Sequence, residues 1–323
     1  MSLERAKEAC DRIIQQICSI YVGDELLVRK VVAAALANGH ILFEDNPGLG
    51  KTMLAKTLSF SIDCEFSRIQ FTPDLLPADI LGIKIWRSRN EVFELLKGPA
   101  FTNILLADEI NRSPPKTQSA LLEAMEERQV TIEGETHRLM EPFFVLGTQN
   151  PIEYEGTYPL PEAQMDRFLL RLSAGYAETL EEEKLILQRR IEWRKDDPTK
   201  DITPVISASE FRSLQKKAEN DIYVDDVILE YIAQIIRKTR EHQQVEVGSS
   251  PRGGLALLKA SRAMALTNGR DFVTPDDVKV FALDALVHRL IPKLEYALEG
   301  VSERAIVDEI VRKAPVPKEF HPR

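Results

Sequence analysis

The chain has 323 residues, 44% of them hydrophobic and 29% charged, with a net charge of -9. It is long enough to bury a real core and to form one large and one small domain. The acidic balance argues against a dedicated nucleic-acid binder, and no apolar run approaches the ~20 residues that would span a membrane.

Met1 to Glu8 is charged and helical in character, so it does not read as a signal peptide. Leu3 to Ile20 forms an amphipathic helical pattern, Tyr21-Val22-Gly23-Asp24 breaks it, and Glu25 to Ala37 forms a second, ended by Asn38-Gly39. Cys10 and Cys18 share the first helix about 12 Å apart, too far to bridge. With Cys64 they read as reduced thiols of a cytoplasmic protein. The five histidines are scattered, and none pairs with Cys at zinc-ligand spacing.

Next come a short apolar strand, Ile41-Leu42-Phe43, the turn Asn46-Pro47-Gly48-Leu49-Gly50-Lys51-Thr52, and a breaker-free helix start from Met53. Strand, glycine-rich turn, Gly-Lys-Thr and helix is the order a phosphate-binding loop requires. The glycines let backbone N–H groups converge, and the helix N-terminus adds partial positive charge at the same point. Lys51 would reach the β- and γ-phosphates, and Thr52 would offer its hydroxyl to Mg²⁺. Asp45 stands where this loop normally begins with Gly. Its carboxylate beside a polyphosphate is expected to weaken binding.

Four more apolar stretches follow, Phe66–Phe71, Ile104–Ala107, Phe143–Gly147 and Phe168–Leu172, mostly separated by helical patterns. They predict a parallel α/β sheet with helices on both faces and ligands beyond the carboxyl ends of the strands. Asp108 and Glu109 follow the second stretch, where Asp108 would hold Mg²⁺ through water and Glu109 would act as general base. Gln149, Asn150 and Pro151 follow the third. Asn150 is either a water-orienting group beside the γ-phosphate or simply the start of a turn before proline.

Ile83–Trp86 with Val92–Leu95, and Val130–Ile132 with Thr136–Leu139, read as two β-hairpins. They are either decorative or projections that touch a substrate or partner. The segment Tyr158–Phe168 is too polar for a plain connector, and Arg167 stands just before the last strand. From Tyr176 onward only helices are predicted: Glu178–Lys195, Ser207–Ala218, Val224–His242, Pro251–Asn268, Thr274–Leu290 and Ser302–Lys313. The expected division is therefore 1–175 as an α/β nucleotide-binding core and 176–323 as an all-α domain. Arg189, Arg190, Arg194 and Lys195 read as a solvated helix face. Arg252, after the cap Ser250-Pro251, reads locally as an ordinary exposed arginine.

With these residues assembled, the chain resembles the P-loop ATPases of the AAA+ class, and more narrowly the MoxR family. Pro47–Thr52, Leu106-Ala107-Asp108-Glu109-Ile110-Asn111-Arg112, Gly147–Pro151, Tyr158–Phe168 and Ser249-Ser250-Pro251-Arg252 carry the resemblance, which runs from about Tyr21 to the C-terminus. It implies an AAA+ core followed by a lid. In that scheme Asn150 matches sensor 1, Arg252 the lid arginine that reads the γ-phosphate of its own subunit, and Arg167 an arginine finger aimed at the neighbour's ATP. The hairpins match the helix-2 insert and the pre-sensor-1 hairpin, facing a pore or partner. Tyr21-Val22-Gly23 resembles the segment lining the adenine pocket. The resemblance also implies a hexameric ring, ATP and Mg²⁺, and a separate partner with a von Willebrand factor A domain, often in metal insertion or complex assembly.

The resulting expectation is an ATPase that remodels other proteins. A DNA motor or loader is the first alternative and predicts basic hairpin tips, whereas these carry Arg87 and Arg89 with Glu91, and Glu133 with Glu135. A nucleotide-dependent scaffold with little turnover is the second, and Asp45 is its only support.

Overall fold

A computed structural model of the protein describes residues 1–88, 91–150, 157–177 and 179–317. Arg89 of the first hairpin tip, Pro151, the predicted helix start Glu178 and His321 lie outside the described residues.

Ser2 caps α1 (Leu3–Ile20) by accepting from the Arg5 N–H, and Ala6, Cys10, Ile13 and Ile17 form its buried stripe at helical spacing. Asp24 caps α2 (Glu25–Leu36), in which every residue from Val31 to Leu36 is buried. The core then runs β1 (Ile41–Glu44), α3 (Lys51–Ser61), β2 (Phe66–Gln70), α4 (Pro77–Leu81), β3 (Gly82–Arg87), β4 (Val92–Lys97), β5 (Ile104–Asp108), α5 (Pro115–Glu127), β6 (Gln129–Ile132), β7 (Glu135–Arg138), β8 (Phe144–Gln149), α6 (Glu162–Met165) and β9 (Leu170–Leu172).

Five strands form one parallel sheet in the order β2-β5-β8-β1-β9. The two-residue period of a strand sorts its side chains to two faces. Phe43, Leu106 and Leu146 pack with Leu54 and Leu58 of α3 on one face. Leu42, Leu105 and Val145 pack with Leu121, Leu122 and Met125 of α5 on the other. Both faces are covered, which is why these strands read as unbroken apolar runs. His40, just before β1, is buried between the Val145 N–H, which donates to Nδ1 at 3.0 Å, and the Met125 carbonyl, 3.1 Å from Nε2. Burial pushes its pKa well below the ordinary value, so it serves as a neutral part of the frame.

Both predicted hairpins are present, β3 with β4 and β6 with β7. Glu133 (φ 48°) and Gly134 (φ 83°) both take left-handed backbone, as a tight hairpin turn requires. Glu135 is not a free tip charge. It pairs with Lys84 of the other hairpin at 2.5 Å, and that hydrogen bond holds its carboxyl below the usual range.

The remaining described residues include a helical lid: α7 (Leu180–Trp193), α8 (Ala208–Asn220), α9 (Asp226–Glu241), β10 (Val245–Val247), α10 (Pro251–Thr267), α11 (Pro275–Leu286), β11 (Ile291–Pro292), α12 (Leu294–Leu298) and α13 (Glu303–Lys313). The lid departs from the expectation in several details, among them the short helix α12, which no predicted helix covers. β10 and β11 pair antiparallel, and segments of three and two residues are too short to show a period in sequence. The predicted helix to Leu290 stops at Leu286, and a single tighter turn, Val287–Arg289, buries His288 and Arg289. α10 packs on α1 and α2 as well as on α9 and α11, so the N-terminal helices share one apolar core with the lid. Among the described residues no helix is long and apolar enough to cross a membrane.

Candidate active site

The loop between β1 and α3 is built around two left-handed glycines, Gly48 (φ 88°) and Gly50 (φ 77°). A side chain at Gly48 would meet nothing within 4 Å, so its backbone angle alone demands glycine. At Gly50 a Cβ would also press on the Tyr21 ring at 3.1 Å. Gly50 offers no side chain to cap α3, which leaves the first N–H groups of an eleven-residue helix open to an anion. Pro47, Gly48, Leu49, Gly50, Lys51 and Thr52 line a cavity whose other wall is Asp108, Glu109 and Asn150. Lys51 bends back over the loop and donates to the Asn46 carbonyl at 2.9 Å. Burial lowers its pKa, and Asp45, Asp108 and Glu109 oppose that shift.

Asp45 also lines this cavity, is buried, and anchors the loop to a distant segment. Its Oδ1 accepts from the Ser173 hydroxyl at 2.5 Å and its Oδ2 from the Ala174 N–H at 2.7 Å. Asn46 Nδ2 donates to the Tyr176 hydroxyl at 3.0 Å. The loop is thus bolted to the segment leaving β9, where the chain turns toward the lid. Asp45→Ala is expected to cost about 1–3 kcal/mol of stability, because it leaves a backbone N–H and a hydroxyl without their charged acceptor. Urea unfolding of the two proteins checks this, and an unchanged midpoint and slope would remove the anchoring role.

Opposite the loop, Asp108 ends β5. Its Oδ1 accepts from the Thr148 hydroxyl at 3.2 Å and its Oδ2 from Arg68 Nε at 2.6 Å. Glu109 sits in the left-handed region (φ 55°, ψ 51°), a strained position for a residue with a side chain. Its N–H donates to Thr148 Oγ1 at 2.9 Å, and its carboxylate accepts from Arg112 at 2.8 Å. Thr148 therefore ties the two carboxylate residues together from β8. Asn150, at the end of β8, faces the same cavity, and Asn111 Nδ2 donates to its carbonyl at 3.2 Å. Of the remaining predicted residues, Met53 lies half-buried in the first turn of α3. Val22 and Gly23 do not line the cavity. They belong to the turn before α2, and the Tyr21 ring lies against Gly50 of the loop.

Neither Arg167 nor Arg252 is in this cavity. Both pair with one carboxylate, Glu126 near the end of α5, at 3.2 Å and 2.6 Å. They line a second cavity with Asn38, His40 and Leu169, at the amino ends of β1 and β9, whereas the loop follows the carboxyl end of β1. In this structure Arg252 therefore stands away from the loop cavity of its own subunit. The lid is held at the far end of the sheet: Ser250 donates to Asp166 at 3.0 Å, and buried Arg289 donates to the Asp166 carboxylate at 2.7 Å and the Phe168 carbonyl at 2.7 Å. Arg252 opens the helix capped by that same Ser250, so it shares an edge with Arg167.

Residues 40–170 match the ATPase family associated with various cellular activities (AAA), and residues 237–310 match the AAA lid domain. The chain is 39% identical to the chaperone MoxR1 of Mycobacterium tuberculosis over 95% of this chain and 82% of that protein. The chain belongs to the MoxR family of AAA+ ATPases. It is 49% identical to YeaC, an uncharacterized protein of Bacillus subtilis, over 95% of this chain and 94% of the relative. The crystal structure of a candidate ATPase from Cytophaga hutchinsonii superposes with a TM-score of 0.90 at 38% identity, over 98% and 97% of the two chains.

For a MoxR protein the donor set suits Mg²⁺. Thr52 and Asp108 face one cavity with hard oxygen donors. Among the described residues no three His, Cys, Asp or Glu side chains converge as a cage. Mg²⁺ rarely uses such a cage, since it keeps its waters and binds through a carboxylate and substrate phosphates. Sequence reasoning missed Arg68, Thr148, Glu126 and Arg289. Thr148 lay within the Gly147–Asn150 strand end already under inspection. Glu126 and Arg289 leave no signal, because their partners stand 41 and more residues away in the chain.

Proposed function

We propose that this protein is an Mg²⁺-dependent ATP hydrolase that acts only as a ring of its own copies, a hexamer by family resemblance. The observation that carries this is the split of the site between two ends of one sheet. The loop cavity holds Lys51, Asp108, Glu109 and Asn150, while Arg167 and Arg252 stand together at the other end. One subunit cannot close both halves on one nucleotide, and head-to-tail contact of successive copies can.

In this reading the loop N–H groups and Lys51 hold the triphosphate, and the carbonyls of the loop aim Lys51. Asn150 positions a water against the γ-phosphate and Glu109 takes its proton. Arg167 and Arg252 come from the adjoining copy and offset charge developing on the transferred phosphoryl group. Mg²⁺, held by Thr52 and Asp108, would neutralise phosphate charge. Residues 1–175 would form the motor core and 176–323 the lid, with Asp45 and Asn46 passing the state of the loop to the segment between them.

The work would fall on other proteins, in remodelling or maturation of complexes with a separate von Willebrand factor A domain partner, metal insertion included. Support for a protein client rather than DNA comes from the hairpins. Phe93 is 64% exposed beside Trp86, while Arg87 and Lys84 are already paired with Glu94 and Glu135. Stimulation of ATPase by added DNA would revive the DNA-motor reading. The three unpaired cysteines suit a reducing cytoplasm.

The test is ATP turnover against protein concentration, with mass by light scattering. Turnover per subunit is expected to rise steeply as a ring appears. A flat profile at monomer mass would leave a monomeric ATPase or a nucleotide-gated scaffold instead.

A further inference from the structure

The loop cavity contains a cation that the reading above does not use. Arg68 lies on β2, whose neighbour β5 places Gln70 opposite Asp108 in register. Arg68 and Gln70 are two residues apart, project to one side of the sheet, and both line the cavity. Arg68 Nε donates to Asp108 Oδ2 at 2.6 Å, and the Thr148 hydroxyl takes the other oxygen at 3.2 Å. Both oxygens of the carboxylate assigned to the metal are therefore engaged.

The two partners are not equally fixed. Thr148 is buried and locked by the Glu109 N–H at 2.9 Å. Arg68 is 51% exposed on a long side chain, against 11% for Asp108, so it is the partner that can leave. A guanidinium on this carboxylate repels an incoming divalent ion. Phosphate oxygens in the same cavity offer it a planar, charge-assisted alternative.

We propose that Arg68 is a resident counter-cation that occupies the metal carboxylate until a nucleotide's phosphates draw it away, making divalent-metal binding conditional on nucleotide. The inference rests on reading the cavity as an Mg²⁺–nucleotide site. Arg68 is thus a positioning residue of that site. By linkage the metal tightens nucleotide by the same factor that nucleotide tightens metal.

Mn²⁺ is the probe, followed by electron paramagnetic resonance on the full chain with and without ADP, after correction for Mn²⁺ held by free ADP. Without nucleotide, Arg68→Gln is expected to bind Mn²⁺ about tenfold tighter than wild type, since a like charge a few ångströms from the ion is gone. With ADP the two are expected to agree within about twofold, and Arg68→Lys, which keeps the charge, to stay near wild type. A merely structural role would not change the ratio of the two affinities. Equal or weaker nucleotide-free binding by Arg68→Gln overturns the inference and leaves the cavity reading standing. A wild type that binds no fluorescent ADP analogue, or an Asp108→Asn protein that keeps wild-type Mn²⁺ binding in the presence of ADP, overturns the cavity reading and this inference with it.

Discussion

A mixture of Lys51→Ala and Arg167→Ala subunits is expected to hydrolyse ATP when neither variant does so alone. Each variant spoils one half of a divided site. Lys51→Ala removes the loop cation, and Arg167→Ala removes the charge supplied from the other end of the sheet. An arginine delivered in trans can be worth ~10³–10⁵ in rate, so each pure ring should be close to silent. In an equal mixture roughly a quarter of interfaces pair an intact loop with intact arginines, and turnover should recover to about that fraction of wild type. Coupled-enzyme assays across mixing ratios check this, and a mixture as silent as its parts would sink the divided site.

The same experiment decides where Arg252 works. Glu126 gathers Arg167 and Arg252 at one edge, so both should serve the same neighbouring nucleotide. A mixture of Arg167→Ala with Arg252→Ala then restores nothing, because every interface lacks one of the two. Were Arg252 to act within its own subunit, that mixture would recover about a quarter of wild-type turnover. Recovery would therefore return the lid arginine to its own loop, which the hold of Ser250 and Arg289 on Asp166 argues against.

The second large effect is expected at Glu109. Glu109→Gln should lower turnover by ~10²–10⁴, the usual contribution of a positioned general base, while nucleotide binding stays near wild type. The amide keeps the shape, and the Glu109 backbone N–H on Thr148 holds the turn in either variant. Phosphate release in a single turnover, beside titration with a fluorescent ATP analogue, separates the two effects. Loss of binding in step with turnover would recast Glu109 as part of the frame. The Glu109 carboxylate accepts from Arg112 at 2.8 Å, so a proton-accepting Glu109 must first exchange that partner for water.

The phosphate loop, the Asp-Glu pair and the parallel sheet were legible in sequence for one reason: each is local. A strand, a turn of left-handed glycines and a helix are set by a dozen consecutive residues. The apolar runs of β5 and β8 announced a sheet covered on both faces. The hairpins declared themselves through alternation, with a polar tip in the first and a Gly turn in the second, and the first helix matched its sequence pattern from Leu3 to Ile20.

What lay beyond reach was every contact closed by packing across the chain. Asp45 stood out in the sequence only as the residue in place of the loop's first Gly, and nothing there announced its bonds to Ser173 and Ala174, 128 and 129 residues on. Arg252 read locally as an ordinary exposed arginine, and only the docking of the lid at the amino ends of β1 and β9 put it beside Arg167. By itself the sequence determined which side chains can handle a phosphate, because local backbone geometry and residue chemistry suffice for that. The tertiary structure alone decided which of them share a cavity. Charge acts over a few ångströms, and the fold, through contacts far apart in the chain, sets those distances.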